Sequence, residues 1–153
     1  MSKLGRYSAD RKKVVVLTTT ATEIQPSACG TVFMLDGTAY SADVVHSLPH
    51  PSEAGVGWWC KFIIKGPAVL DAGGDDCLLK VRDAGASTFA DDLMVIQIHE
   101  TTGAAGLTDV DADFLLLVGE TIVAGGQLEF LCDGNKYYVL GSVVADGAVT
   151  VDT

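Results

Sequence analysis

Apolar residues along this chain fall in short blocks separated by Gly, Pro, Asp and Ser. Blocks of this kind, rich in Val, Ile, Phe, Tyr and Thr, mark strands. They predict strands near 13–19, 31–35, 43–48, 58–64, 68–71 and 77–82. Others are predicted near 93–99, 114–118, 121–124, 127–132, 136–143 and 148–151. No segment sustains the 3.6-residue apolar period of a helix beyond a turn or two. Leu93-Met94-Val95-Ile96-Gln97-Ile98-His99 reads as a buried strand that ends in alternation.

The last third carries the clearest local signal. Leu128-Glu129-Phe130-Leu131-Cys132 runs into Asp133-Gly134-Asn135-Lys136 and then into Tyr137-Tyr138-Val139-Leu140. Asp-Gly between two apolar blocks marks a hairpin, because tight turns need residues that accept positive φ. Gly125-Gly126 makes a second turn upstream. Short strands with turns between them imply an all-β, single-domain β sandwich or jelly-roll-like fold, or a small barrel. No linker, repeat or low-complexity tract interrupts it, so the expected organisation is a β-rich domain over 14–153 behind a basic N-terminal arm over 1–13.

The chain has 153 residues, enough to bury a core without a metal or disulfide. Hydrophobic residues make up 48% and mean hydropathy is +0.33, yet blocks such as Val14–Leu17 and Phe114–Val118 are far too short to span a bilayer. The apolar surplus fits a β core and a buried subunit interface. The apolar block after Lys12-Lys13 ends at Leu17, shorter than the h-region of a secretory leader. Cys29, Cys60, Cys77 and Cys132 form no CxxC pair, which argues against zinc or a disulfide framework. Buried free thiols, made in a reducing cytoplasm, are the expectation.

Charge changes the picture more. The net charge is −10, but residues 1–13 hold Lys3, Arg6, Arg11, Lys12 and Lys13 against Asp10, which leaves the remainder at −14. A body this acidic repels nucleic acid and anionic membranes, while the basic arm suits an acidic partner.

Candidate chemistry is sparse. His46, His50 and His99 lack the HExxH spacing that puts two imidazoles on one face, and read as surface or loop residues. Asp109-Val110-Asp111-Ala112-Asp113 has a calcium-loop flavour, but Phe114 stands where such a loop needs Gly, so it reads as an acidic loop leading into a strand. Gly73-Gly74-Asp75-Asp76 reads as a solvated turn. No nucleophile elbow, phosphate loop or dinucleotide fingerprint occurs, and no enzyme, metal or cofactor is expected. Trp58-Trp59 is the most distinctive local feature. Neighbours on a strand point to opposite faces, so one indole should enter the core and the other face a subunit or partner.

Gly30-Thr31-Val32-Phe33-Met34-Leu35-Asp36 resembles the G-x-x-F-x-L-D strand of a group of small virion proteins, the head-decoration (capsid cement) proteins of tailed bacteriophages. Ser47-Leu48-Pro49 through Ala54-Gly55 to Trp59-Cys60-Lys61-Phe62-Ile63-Ile64 is similar to its LP-x-P…G…x-F-x-F-I-V stretch. The hairpin from Leu128 to Val139 resembles x-E-L-x-S-D-G-x-x-W-Y-V, with Tyr137 in place of tryptophan. Gly147-Ala148-Val149-Thr150 is similar to its G-A-I-T terminal strand, while 65–113 carries no matching piece.

The resemblance implies a homotrimeric β-rich domain, made in the host cytoplasm and bound to the outer face of the virion's capsid. Its partners would be the major capsid protein and itself, with neither nucleic acid nor membrane. The arm residues Lys3, Arg6, Arg11, Lys12 and Lys13 could reach along the lattice, and Trp58 and Trp59 would serve an interface. The alternative is a tail- or fibre-associated binding module whose outward tryptophan contacts host glycans. A small barrel enzyme or ligand-binding protein using His46, His50 or His99 is a third, weaker reading.

Overall fold

The computed structural model describes residues 12–36, 42–65, 75–85, 89–90, 93–100, 107–112, 114–118 and 121–152. Its strands are β1 (Val14–Leu17), β2 (Thr22–Glu23), β3 (Thr31–Leu35), β4 (Val44–Leu48), β5 (Trp59–Ile64), β6 (Cys77–Arg82) and β7 (Phe89–Ala90). They continue as β8 (Leu93–Glu100), β9 (Leu107–Ala112), β10 (Phe114–Leu117), β11 (Gln127–Cys132), β12 (Tyr137–Val143) and β13 (Val149–Asp152). A 3-10 turn at Pro26–Ala28 and one helical turn, α1 (Pro51–Ala54), complete the elements.

The strands form two mixed sheets around one core. The larger runs β1-β3-β5-β11-β12-β8-β9 and the smaller β13-β10-β6-β4-β2, with β7 continuing on β6. The first six strands go alternately to the two sheets, and every ladder among them is parallel. Parallel strands need a crossover connection, and here the strand laid in the opposite sheet is that crossover. The later strands then pair mainly antiparallel, with hairpin β11–β12 filling the space between β5 and β8.

Period-two alternation sets which side chains go inside. Cys60, Phe62 and Ile64 of β5 and Leu128, Phe130 and Cys132 of β11 are buried, while the residues between them face out. Phe62 lies at the centre, stacked on Phe33 at 5.3 Å and edge-on to Phe130 at 5.4 Å. Leu79, Val81, Leu115 and Leu117 of the smaller sheet belong to the same buried cluster.

The all-β, single-domain expectation holds, and most predicted strands occur within a residue or two. Four local readings need correction or placement. Segment 121–124 is a turn, because the amides of Thr121 and Ile122 both donate to the Val118 carbonyl and Ile122 plugs the core. The acidic segment read as a loop is strand β9, since its ladder with β8 overrides the poor strand propensity of Asp. His46 lies inside β4 and is fully buried, not on a surface or loop. The strand predicted at 68–71 lies outside the described residues.

Candidate assembly surface

Because the inward positions of the larger sheet are filled, its outward positions form a second, continuous set. Cross-strand register places Val14, Val32, Lys61, Glu129 and Leu140 in one row across β1, β3, β5, β11 and β12. Val16, Met34, Ile63, Gln127 and Ser142 form the next row. Trp59, Leu131 and Tyr138 form a shorter row beside Lys61. Val14 is 58% exposed, Val16 50%, Leu131 46% and Leu140 44%. Scattered apolar exposure is ordinary, but here two exposed pairs, Val14 with Val16 on β1 and Leu131 with Leu140 across β11 and β12, stand on one face, with β3 and its buried Val32 and β5 between them. Clustered apolar exposure of this kind marks interaction sites.

Two features shape this face. Lys61 and Glu129 pair across β5 and β11 at 3.3 Å, a half-exposed contact worth at most about 1 kcal/mol. Beside them lies a shallow depression of about 220 Å³ lined by Lys61, Gln127, Glu129, Leu140 and Gly141. Gly141 is required there, because a Cβ would sit 2.3 Å from the Gln127 carbonyl oxygen. The depression thus offers an ion pair on one wall and a leucine on the other.

The face ends at β1. The carbonyls of Lys13 and Leu17 accept from the amides of Val32 and Asp36, so odd-numbered residues of β1 bond to β3. Val14 and Val16 therefore direct their backbone N–H and C=O groups away from the sheet. Among the described residues, nothing pairs with that edge.

Trp58 is the indole that enters the core, 3% exposed, with its Nε1 donating to the Pro26 carbonyl at 2.8 Å. Its ring meets Tyr137 edge-on at 5.6 Å. The Tyr137 hydroxyl donates to the Pro49 carbonyl at 2.8 Å, and burial raises its pKa well above the usual phenol value. Trp59 is the outward indole, half-buried, with the Lys12 ammonium 5.9 Å from its ring centroid. Lys12 and Lys13 thus lie at the foot of β1. Lys3, Arg6 and Arg11 lie outside the described residues.

The remaining candidates are dispersed. His50 caps α1, accepting from the Ser52 amide at 3.2 Å, and His99 is exposed on β8. Among the described residues, His46 has no hydrogen-bond partner at either ring nitrogen. Cys60, Cys77 and Cys132 are buried as expected, but Cys29 is exposed, because it follows the 3-10 turn at the surface. Burial is the main cause that holds the Cys60 thiol well above its ordinary pKa. The Asp76 amide donates to Asp43, which ties the starts of β4 and β6 together. Among the described residues, no three His, Cys, Asp or Glu side chains are grouped to hold a metal ion, and no helix is long and apolar enough to cross a membrane.

On this face the sequence pointed to Trp59 and to the adjoining Lys12 and Lys13, but not to the exposed Val14, Val16, Leu131 and Leu140. Leu131 was accessible from parity, since it shares a face with Gln127 and Glu129. The valines were not, because a run of four apolar residues carries no alternation to read. No family model, curated protein or solved structure matches the chain.

Proposed function

We propose that this chain is a structural virion protein that binds the outer surface of a tailed-phage head and cements the shell, acting as a homotrimer. The observation that carries the reading is the outward face of the larger sheet. Val14 and Val16 on β1 and Leu131 and Leu140 on β11 and β12 lie exposed on it, to either side of Trp59, and the face ends at a strand edge that is unpaired among the described residues. A surface of this kind gains stability by being covered, at roughly 25 cal/mol per Å² of apolar area removed from water. The likeness of four segments to capsid cement proteins supplies the partner, the major capsid protein. The acidic body keeps the chain off packaged nucleic acid, and the basic entry to β1 suits an acidic protein surface.

A glycan-binding role would need an open tryptophan face. The Lys12 ammonium over Trp59 occupies one face of the only outward indole among the described residues, which disfavours that alternative. The test is cosedimentation of the purified protein with empty heads of the phage whose genome encodes it. The expected result is saturable binding and shells that survive higher temperature. Intact heads that bring down no protein would overturn the proposal.

A further inference from the structure

The two ends of the larger sheet are complementary in direction and in the charge of their sequences. From β1 to β9 the ladders run parallel, parallel, antiparallel, antiparallel, parallel and antiparallel. Three reversals leave β9 antiparallel to β1. When copies are related by rotation about an axis along the strands, β1 of one copy therefore meets β9 of the next in antiparallel sense. Both outward faces then stay outward.

Charge favours the same match. Lys12 and Lys13 immediately precede β1, and β9 carries Asp109 and Asp111 in its sequence. Antiparallel pairing sets the beginning of β1, which follows Lys12 and Lys13, beside the end of β9, where Asp111 stands in the sequence. Pairing of β1 with β1 about a twofold axis would instead bring two basic entries to one interface. Among the other strands with a single ladder, β2 and β7 have two residues each, too short to cover β1, whereas β13 has four, the same as β1, and β9 has six. β13 approaches β9, but no ladder joins them.

We propose that a second copy of this chain docks through its β9 on the edge of β1 that is unpaired among the described residues, extending the seven-stranded sheet from protomer to protomer. Heterologous contacts of this kind close into rings when the rotation permits. An edge strand reading Val-Val-Val-Leu, with no proline or internal charge, is a template that a soluble protein normally covers. The inference rests on the assembly reading above and names the surface through which it works.

Light scattering behind a sizing column, at low salt and over a dilution series, tests it on the full chain. The wild type should elute as a trimer. Val14→Pro and Val16→Pro each remove one N–H that points away from β3 and leave the ladder to β3 intact, a substitution that edges tolerate. Each should shift the protein toward monomer with an unchanged far-UV spectrum. Lys12→Glu/Lys13→Glu and Asp109→Lys/Asp111→Lys should each weaken association by about tenfold or more. Combining the two pairs should restore it. A wild-type monomer, or a trimer indifferent to both the prolines and the charge reversals, overturns the edge pairing. Head cosedimentation of the same samples separates the two claims. Binding with unaltered trimers would leave the cement reading standing without this interface, and failure to bind despite edge-dependent trimers would do the reverse.

Discussion

His46 is the residue most at odds with its surroundings. It is completely buried on β4, neither ring nitrogen is hydrogen-bonded to any of the described residues, and that burial pulls its pKa down to about 4 from 6.5. The fold therefore holds a neutral imidazole, whereas the unfolded chain takes up a proton as pH drops below 6.5. Stability from this group is complete above that value, declines as pH falls toward 4, and levels off below it. The full loss is of the order of 3 kcal/mol. Urea unfolding of wild type and His46→Leu at pH 7 and pH 4.5 should show a much smaller acid-dependent drop in the variant. Equal drops would mean that His46 protonates within the fold. Tyr137 is the contrasting case of a buried polar group that is satisfied. Tyr137→Phe leaves the Pro49 carbonyl without its donor and should cost about 1–2 kcal/mol in urea midpoint while the aromatic contact with Trp58 persists.

Within elements, the close approach of β11 and β12 makes a sharp prediction. A Cβ at Gly141 would meet the Gln127 carbonyl at 2.3 Å and the Leu128 Cα at 3.0 Å, so backbone must move. Gly141→Ala should lower stability by about 3 kcal/mol and abolish the depression beside Lys61 and Glu129. Thermal melting with amide-exchange mapping across β11 and β12 would detect it. This hairpin was also the most legible element. Gln127-Leu128-Glu129-Phe130 states its own inward and outward faces, and Asp133-Gly134 states its turn, with Gly134 at φ 95°. The Asp133 carboxylate accepts from the Asn135 and Lys136 amides and from the Tyr138 hydroxyl, which holds its pKa below the ordinary value. Strands β2 and β7 are two residues each, too short for any pattern, and exist because neighbours offer backbone partners. The alternate assignment of β1 to β6 between two sheets was invisible for a related reason. Local pattern encodes which residues are buried, not which sheet buries them.

At the scale of the whole molecule, charge is segregated along the chain, and that segregation meets the fold at β1. The +4 of residues 1–13 leads in sequence directly into β1, while the other residues carry −14. The Lys13 carbonyl bonds to Val32 and Lys12 lies over Trp59, so these two lysines belong to the folded edge. Lys3, Arg6 and Arg11 can be removed without touching either contact. A chain lacking residues 1–11 should therefore melt within about 2 °C of the full-length protein, as expected when no described contact is lost. Its trimer mass should also persist, because the proposed β1–β9 contact keeps Lys12 and Lys13. Binding to heads should weaken, and most at low salt, where unscreened charge reaches farthest. Cosedimentation of both forms with heads at about 0.05 and 0.5 M salt, about 14 and 4 Å of screening length, reads this directly. A gap between the two forms that narrows as salt rises would assign the segment an electrostatic role in capsid attachment. Equal binding at both salts would mean that the sheet face and its edge make the attachment without the segment.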